Sequence, residues 1–180
     1  MNLKPVPKLA LLTALAVFAF NAQAQSSAPT DPQIAAIVVT ANQVDIDAGN
    51  LALKKGDSKD VKAFAQTMVR DHTGVNQAAT DLVHKLNVTP EPNATSESLK
   101  KGGDDNLAKL KTLSGKAFDK AYVQHEVAYH EAVLAAIDKT LIPDAQNAEL
   151  KALLVKVRPA FVAHLDHAKH LEMELNGNGG

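Results

Sequence analysis

The stretch from Ser114 to Asp138 constrains the fold more than any other, because as a helix it is apolar over far more than half its circumference. Phe118, Ala121, Tyr122, Tyr129, Ala132, Val133 and Ala136 fall on one face, and Val123, Leu134 and Ile137 widen it. Only Lys120, Gln124, Glu131 and Asp138 remain as a polar strip. A helix of this kind needs neighbours on several sides and belongs in the middle of a bundle. Glu126 and His130 fall inside the apolar arc, one turn apart and on the same side.

The rest of the chain supplies those neighbours. Asp31 followed by Pro32 reads as an N-cap with proline at the first helical position, and predicts a helix to about Lys55. Ile34, Ile37, Val38, Ala41, Ala48 and Ala52 form its stripe, with Asp45 in the centre. Gly56 closes it, and Asp57 or Ser58 caps a second helix from Lys59 to about Leu86, with Asp60 placed for a capping box. His72 stands in its stripe where an apolar residue is due, between Met68 and Val75. The short link makes the two helices antiparallel and brings Asp45 and His72 to about one height, at ~1.5 Å per residue.

Asn87 to Gly103 is rich in Pro, Asn, Ser, Thr and Gly and reads as a loop, followed by a short extra helix from Asp104 to Thr112. Ser114-Gly115 caps the central helix, and Pro143 and Asp144 end it. A last helix from about Ala145 to Leu175 buries Leu150, Leu154, Phe161, Leu165, Ala168 and Leu171, with His164 in that stripe. Pro159 falls on its solvent face and frees the carbonyl of Val155, so it should bend the helix one turn ahead of His164. No segment shows the alternation of a strand. The expectation is a single all-α domain, an antiparallel bundle of four long helices with one short extra helix.

The first residues are of another kind. Lys4 and Lys8, the apolar run Leu9 to Phe20 and the small-x-small site Ala22-Gln23-Ala24 read as a secretory signal peptide cut after Ala24. The organisation expected is a signal peptide over 1–24, a mobile leader over 25–30, the helical domain over 31–175 and a disordered tail over 176–180. The mature chain is then periplasmic or secreted, with no transmembrane segment. Cys is absent, so a hydrophobic core and not disulfides must stabilise it. The net charge of −1 and the lack of any Lys/Arg cluster speak against nucleic acid.

Each long helix carries an ionisable group in its apolar face: Asp45, His72, Glu126 with His130, and His164. Burying one unpaired charge costs several kcal/mol, so these groups must meet each other, water or a cation. Two readings stay open. One is a satisfied polar network with trapped water that holds the helices in register. The other is a site for one transition metal (Fe, Mn, Zn or Cu), for which neutral imidazoles with carboxylates are a suitable donor set. A small-molecule pocket is a third. His125 lies near the arc and could replace Glu126 or His130 as the inward group. His84 and His170 read as surface residues, and Asp166, His167 and His170 as a weak surface cluster. No cleft motif marks an enzyme, and no catalytic residue is assigned.

Asp45-Ile-Asp47-Ala-Gly49, Met68-Val-Arg-Asp71-His72, Ser114-Gly115-Lys-Ala-Phe118-Asp119-Lys-Ala-Tyr122 and Arg158-Pro159 through His164 resemble the DUF4142 family of exported bacterial proteins, over roughly Asp31 to Leu175. The resemblance implies a ferritin-like four-helix fold in an envelope protein of unestablished activity, a binding or stress-related module or, alternatively, a metal-handling or redox protein. Ferritin-like di-iron sites take a Glu-x-x-His pair from each of two helices. Val69 and Phe161 stand where those glutamates would be, and this departure favours a single ion or none over an oxidase or iron store.

Overall fold

The computed structural model describes residues 28–177, and all its regular structure is helical. The expected signal peptide, Gln25 to Ser27 of the expected leader and the last three residues lie outside the described residues. Helix α1 spans Asp31–Lys55, α2 Lys59–Lys85, α3 Ala94–Lys111, α4 Gly115–Ala136 and α5 Ala148–Gly177. α4 runs on through a π turn, Ile137–Leu141, and a last helical turn, Ile142–Asp144. The four long helices are neighbours in a closed ring, α1 to α2 to α5 to α4 and back to α1, with α3 laid against α1 and α4. None of the described helices is long and apolar enough to cross a membrane.

The ends of the elements are set by side chains, in several places other than those expected. Thr30, read as leader, is the N-cap of α1 and forms a capping box with Gln33. Asp31 is not that cap. Its carboxylate instead accepts from the amides of Gln146 and Asn147 and ties the start of α1 to the start of α5, which Asn147 caps through the amides of Glu149 and Leu150. Ser58 caps α2 through the amide of Asp60. α2 closes on a Schellman motif with Asn87 in the left-handed region at φ 53°. Ser114 precedes α4 without a side-chain cap bond, and Gly115 takes φ 56°. Pro159 is exposed and sits inside an unbroken α5, which continues through Asn176 and Gly177, two residues of the expected disordered tail.

The largest departure is α3. The expected loop over Asn87 to Gly103 is only about half loop, because Asn93 caps a helix at Ala94 and shares a capping box with Ser96. Gly102 and Gly103 lie inside this helix. Gly103 is buried where a Cβ would meet Val44 Cγ2 at 2.7 Å, so glycine here marks close contact between α3 and α1, not a break. Gly49 does the same between α1 and α2, where a Cβ would stand 2.8 Å from Val69 Cγ2.

The core falls into two apolar halves. One gathers Ile34, Ile37, Val133, Ile137, Leu154 and Phe161. The other gathers Val61, Phe64, Met68, Leu110, Phe118 and Leu171. Along every long helix buried polar residues stand between the halves: Asn42 and Asp45 on α1, His72 on α2, Glu126 and His130 on α4, and His164 on α5.

Candidate metal centre

Asp45, His72, Glu126 and His130 are at most 1% exposed and His164 is 5% exposed. The ring centroids of His72, His130 and His164 lie 5.2 to 5.6 Å apart in pairs. One nitrogen from each of the three comes within 4.8 Å of the others, and one donor each from Asp45, Glu126 and His130 forms a second set of the same size. His130 belongs to both, so the five residues make one continuous cluster. His125, weighed as an inward group, joins neither set. It is half-buried and stacks on Tyr129. His84 is exposed, and His170 is exposed and pairs with Glu174.

The outer nitrogen of each imidazole is committed. His72 Nδ1 lies 2.8 Å from Asn42 Oδ1, and the Asn42 amide nitrogen donates to the Val38 carbonyl, so the oxygen faces His72 and the imidazole must donate. His130 Nδ1 donates to the Glu126 carbonyl at 3.0 Å, one turn back on α4. His164 Nε2 donates to Asp71 Oδ2 at 3.0 Å. Asp71 is itself held by Arg70 Nε at 2.7 Å. Arg70 first, and His164 after it, keep the Asp71 carboxyl below the usual range, so it accepts.

With those protons outward, the remaining nitrogens, His72 Nε2, His130 Nε2 and His164 Nδ1, carry lone pairs. All three are buried without a hydrogen-bond partner. So are both carboxyl oxygens of Asp45, both of Glu126 and the Tyr122 hydroxyl. The cluster thus turns seven acceptor atoms inward and has one hydroxyl among them to donate.

The electrostatics follow from this packing. Burial keeps the imidazoles neutral, pushing His72 down to about 2 and His130 down to about 4. It lowers His164 as well, against the pull of Asp71. The 3.4 Å approach of His72 Nε2 to Asp45 Oδ2 is therefore not an ion pair. Burial pushes Glu126 up to about 8, with Asp45 and Tyr122 acting against it. It also raises Asp45, which faces Glu126. Two carboxyls in contact need a proton or a cation between them.

Three residues here escaped the sequence reading as parts of a site. Asn42 precedes Asp45 by three on one helix face, and that spacing was the available signal. Asp71 precedes His72 and reaches α5, and Tyr122 precedes Glu126 by one turn. Phe161, where a di-iron site would have a carboxylate, puts its ring 5.0 Å from that of His72.

Such a cluster inside a ring of four helices defines a class: an all-helical domain with a buried histidine and carboxylate centre. The chain belongs to the family described as a domain of unknown function, DUF4142, whose model matches residues 17–171. No curated protein and no solved structure matches it.

Proposed function

We propose that this is an exported envelope protein with a ferritin-like four-helix bundle that holds one transition metal ion on His72, His130 and His164 with Asp45 and Glu126. The observation that carries the reading is the set of three inward lone pairs. A polar network can be closed by protons on Asp45 and Glu126, and a protonated Asp45 could donate to His72 Nε2. No side chain donates to His130 Nε2 or His164 Nδ1, so that closure also needs trapped water, whereas a cation held by the three imidazoles satisfies their lone pairs at once. Outward donation to Asn42, the Glu126 carbonyl and Asp71 is also how metal-binding histidines are oriented and made more basic. Nitrogen donors with carboxylates suit Fe, Mn, Zn or Cu. Export rests on the leader from Lys4 to Ala24. The role that fits is that of a binding or stress-related module, with metal handling or redox chemistry as the alternative.

The test is elemental analysis of the untagged protein purified from its export compartment. Close to one transition metal per chain is expected, lost in His72→Ala and His164→Ala and kept in His170→Ala. At a hundredfold excess over its Kd an ion bound only by the fold contributes about 2.7 kcal/mol, so chelation should lower Tm by several degrees. No metal, no chelator effect and no binding on titration would leave the polar network as the answer.

A further inference from the structure

Against the imidazole cluster lies a space of opposite character. A cavity of about 140 Å³ opens among α1, α3, α4 with its π turn, and α5, walled by Val38, Leu99, Ile137, Leu154 and Phe161. Its polar lining is Asn42 and Tyr129, both engaged elsewhere, and Thr95 at the exposed mouth. Asn42 is used by Val38 and His72, and the Tyr129 hydroxyl donates to the Ala41 carbonyl at 3.0 Å. A buried water needs two to four polar partners, and an apolar void of about 150 Å³ engineered in another protein stays dry and takes up benzene or xenon.

The π turn contributes both Ile137 and Leu141 to the lining; single π turns inside helices are frequent at functional sites. Thr95 and Ala132 line the cavity and are exposed, which gives it an opening along the seam of α3 and α4.

We propose that this cavity is a binding site for a small uncharged apolar molecule, of about the size of benzene. Such a molecule would rest against Phe161, whose ring lies 5.0 Å from that of His72, and against Asn42, which orients His72. The inference does not depend on the ion, and its test uses metal-free protein so that the two readings fail separately.

Benzene titrated into the chelated full-length mature chain should give saturable shifts of the Val38, Leu99 and Leu154 methyl resonances and a rise in Tm. Xenon should shift the same methyls. Ala136→Phe, which fills the cavity from α4, should abolish both effects. Should that variant fail to fold, Ala132→Leu narrows the mouth and should weaken benzene binding at least several-fold. Absence of saturable shifts in the wild-type protein, shifts confined to other residues, or unchanged benzene binding in a folded filled variant would each overturn the proposal.

Discussion

Asn42→Ala distinguishes a metal centre from a self-satisfied network more sharply than removal of any ligand, because it leaves all five inward donors in place. Asn42 Oδ1 is the acceptor for His72 Nδ1 at 2.8 Å, and both residues are at most 1% exposed. Its loss leaves a buried N–H without a partner, which costs about 1–3 kcal/mol. That cost arises under either reading. The difference lies in the ion. With no fixed acceptor outside, His72 is free to move its proton to Nε2, and the ring loses basicity. Removing an orienting partner of this kind lowers metal affinity by about 10–100-fold, or about 1.4–2.7 kcal/mol. Competition of Co or Zn against a chromophoric chelator measures this directly, and urea denaturation of the chelated variant measures the first cost. Asn42→Asp keeps an acceptor in place and should recover most of the affinity. A folded Asn42→Ala protein with wild-type metal affinity would refute the assignment of His72 Nε2 as a donor to the ion.

Three further outcomes follow from the same geometry. In metal-free protein the imidazoles titrate near 2 and 4 when folded and near ~6.5 when unfolded, so they erode stability as pH falls below ~6.5. Glu126, at about 8 folded and ~4.3 unfolded, erodes it as pH rises toward 8. Denaturation of chelated protein should therefore show stability falling as pH rises from ~6.5 to ~8, through the raised carboxyls, and again as pH falls below ~4.5, through the lowered imidazoles together with Asp71 and Asp138, whose carboxyls are held down by their ion-pair partners; a flat profile would contradict the burial of these groups. Gly103→Ala places a methyl 2.7 Å from Val44 Cγ2 and should cost about 1–3 kcal/mol in thermal denaturation; an unchanged Tm would mean that α3 does not pack as described. Asp119→Ala removes the carboxylate that accepts from the amides of Asp57 and Ser58 at 3.0 and 2.8 Å, and should destabilise by about 2–3 kcal/mol with no change in metal affinity.

The four long helices were legible because each repeats its apolar residues at helical spacing, although the caps at Thr30 and Asn147 were not the residues expected. α3 was not, since Gly102-Gly103 reads as a break unless one knows that Val44 lies against it. Two glycines and a capping asparagine have the same letters in a loop and in a closely packed helix, and only tertiary contact separates the cases. The five ionisable residues stood out because charge on an apolar face is costly. Asn42 and Tyr122 did not, because a neutral amide or phenol there is unremarkable until its partner is seen. Asp71 was masked by being half-exposed beside Arg70, although its second oxygen turns inward to His164.

The position of the centre connects the fold to the proposed ion. The polar residues occur at one level of all four long helices, between two apolar clusters that share no member. A hydrophobic belt at that level would join the clusters into one core and, for buried ionic groups in general, such a replacement is often neutral or stabilising by ~1–4 kcal/mol. The belt is therefore a weakness of the metal-free fold. Protons on Asp45 and Glu126 relieve part of it, and the inward nitrogens of His130 and His164 still call for water or a cation. A cation on the three imidazoles, as proposed, would satisfy those nitrogens and tie α2, α4 and α5 together where the apolar packing is interrupted. Because the donors converge only in the folded chain, the free energy of binding such an ion would also be free energy of folding, and in a chain with no cysteine it would take the place of a covalent tie.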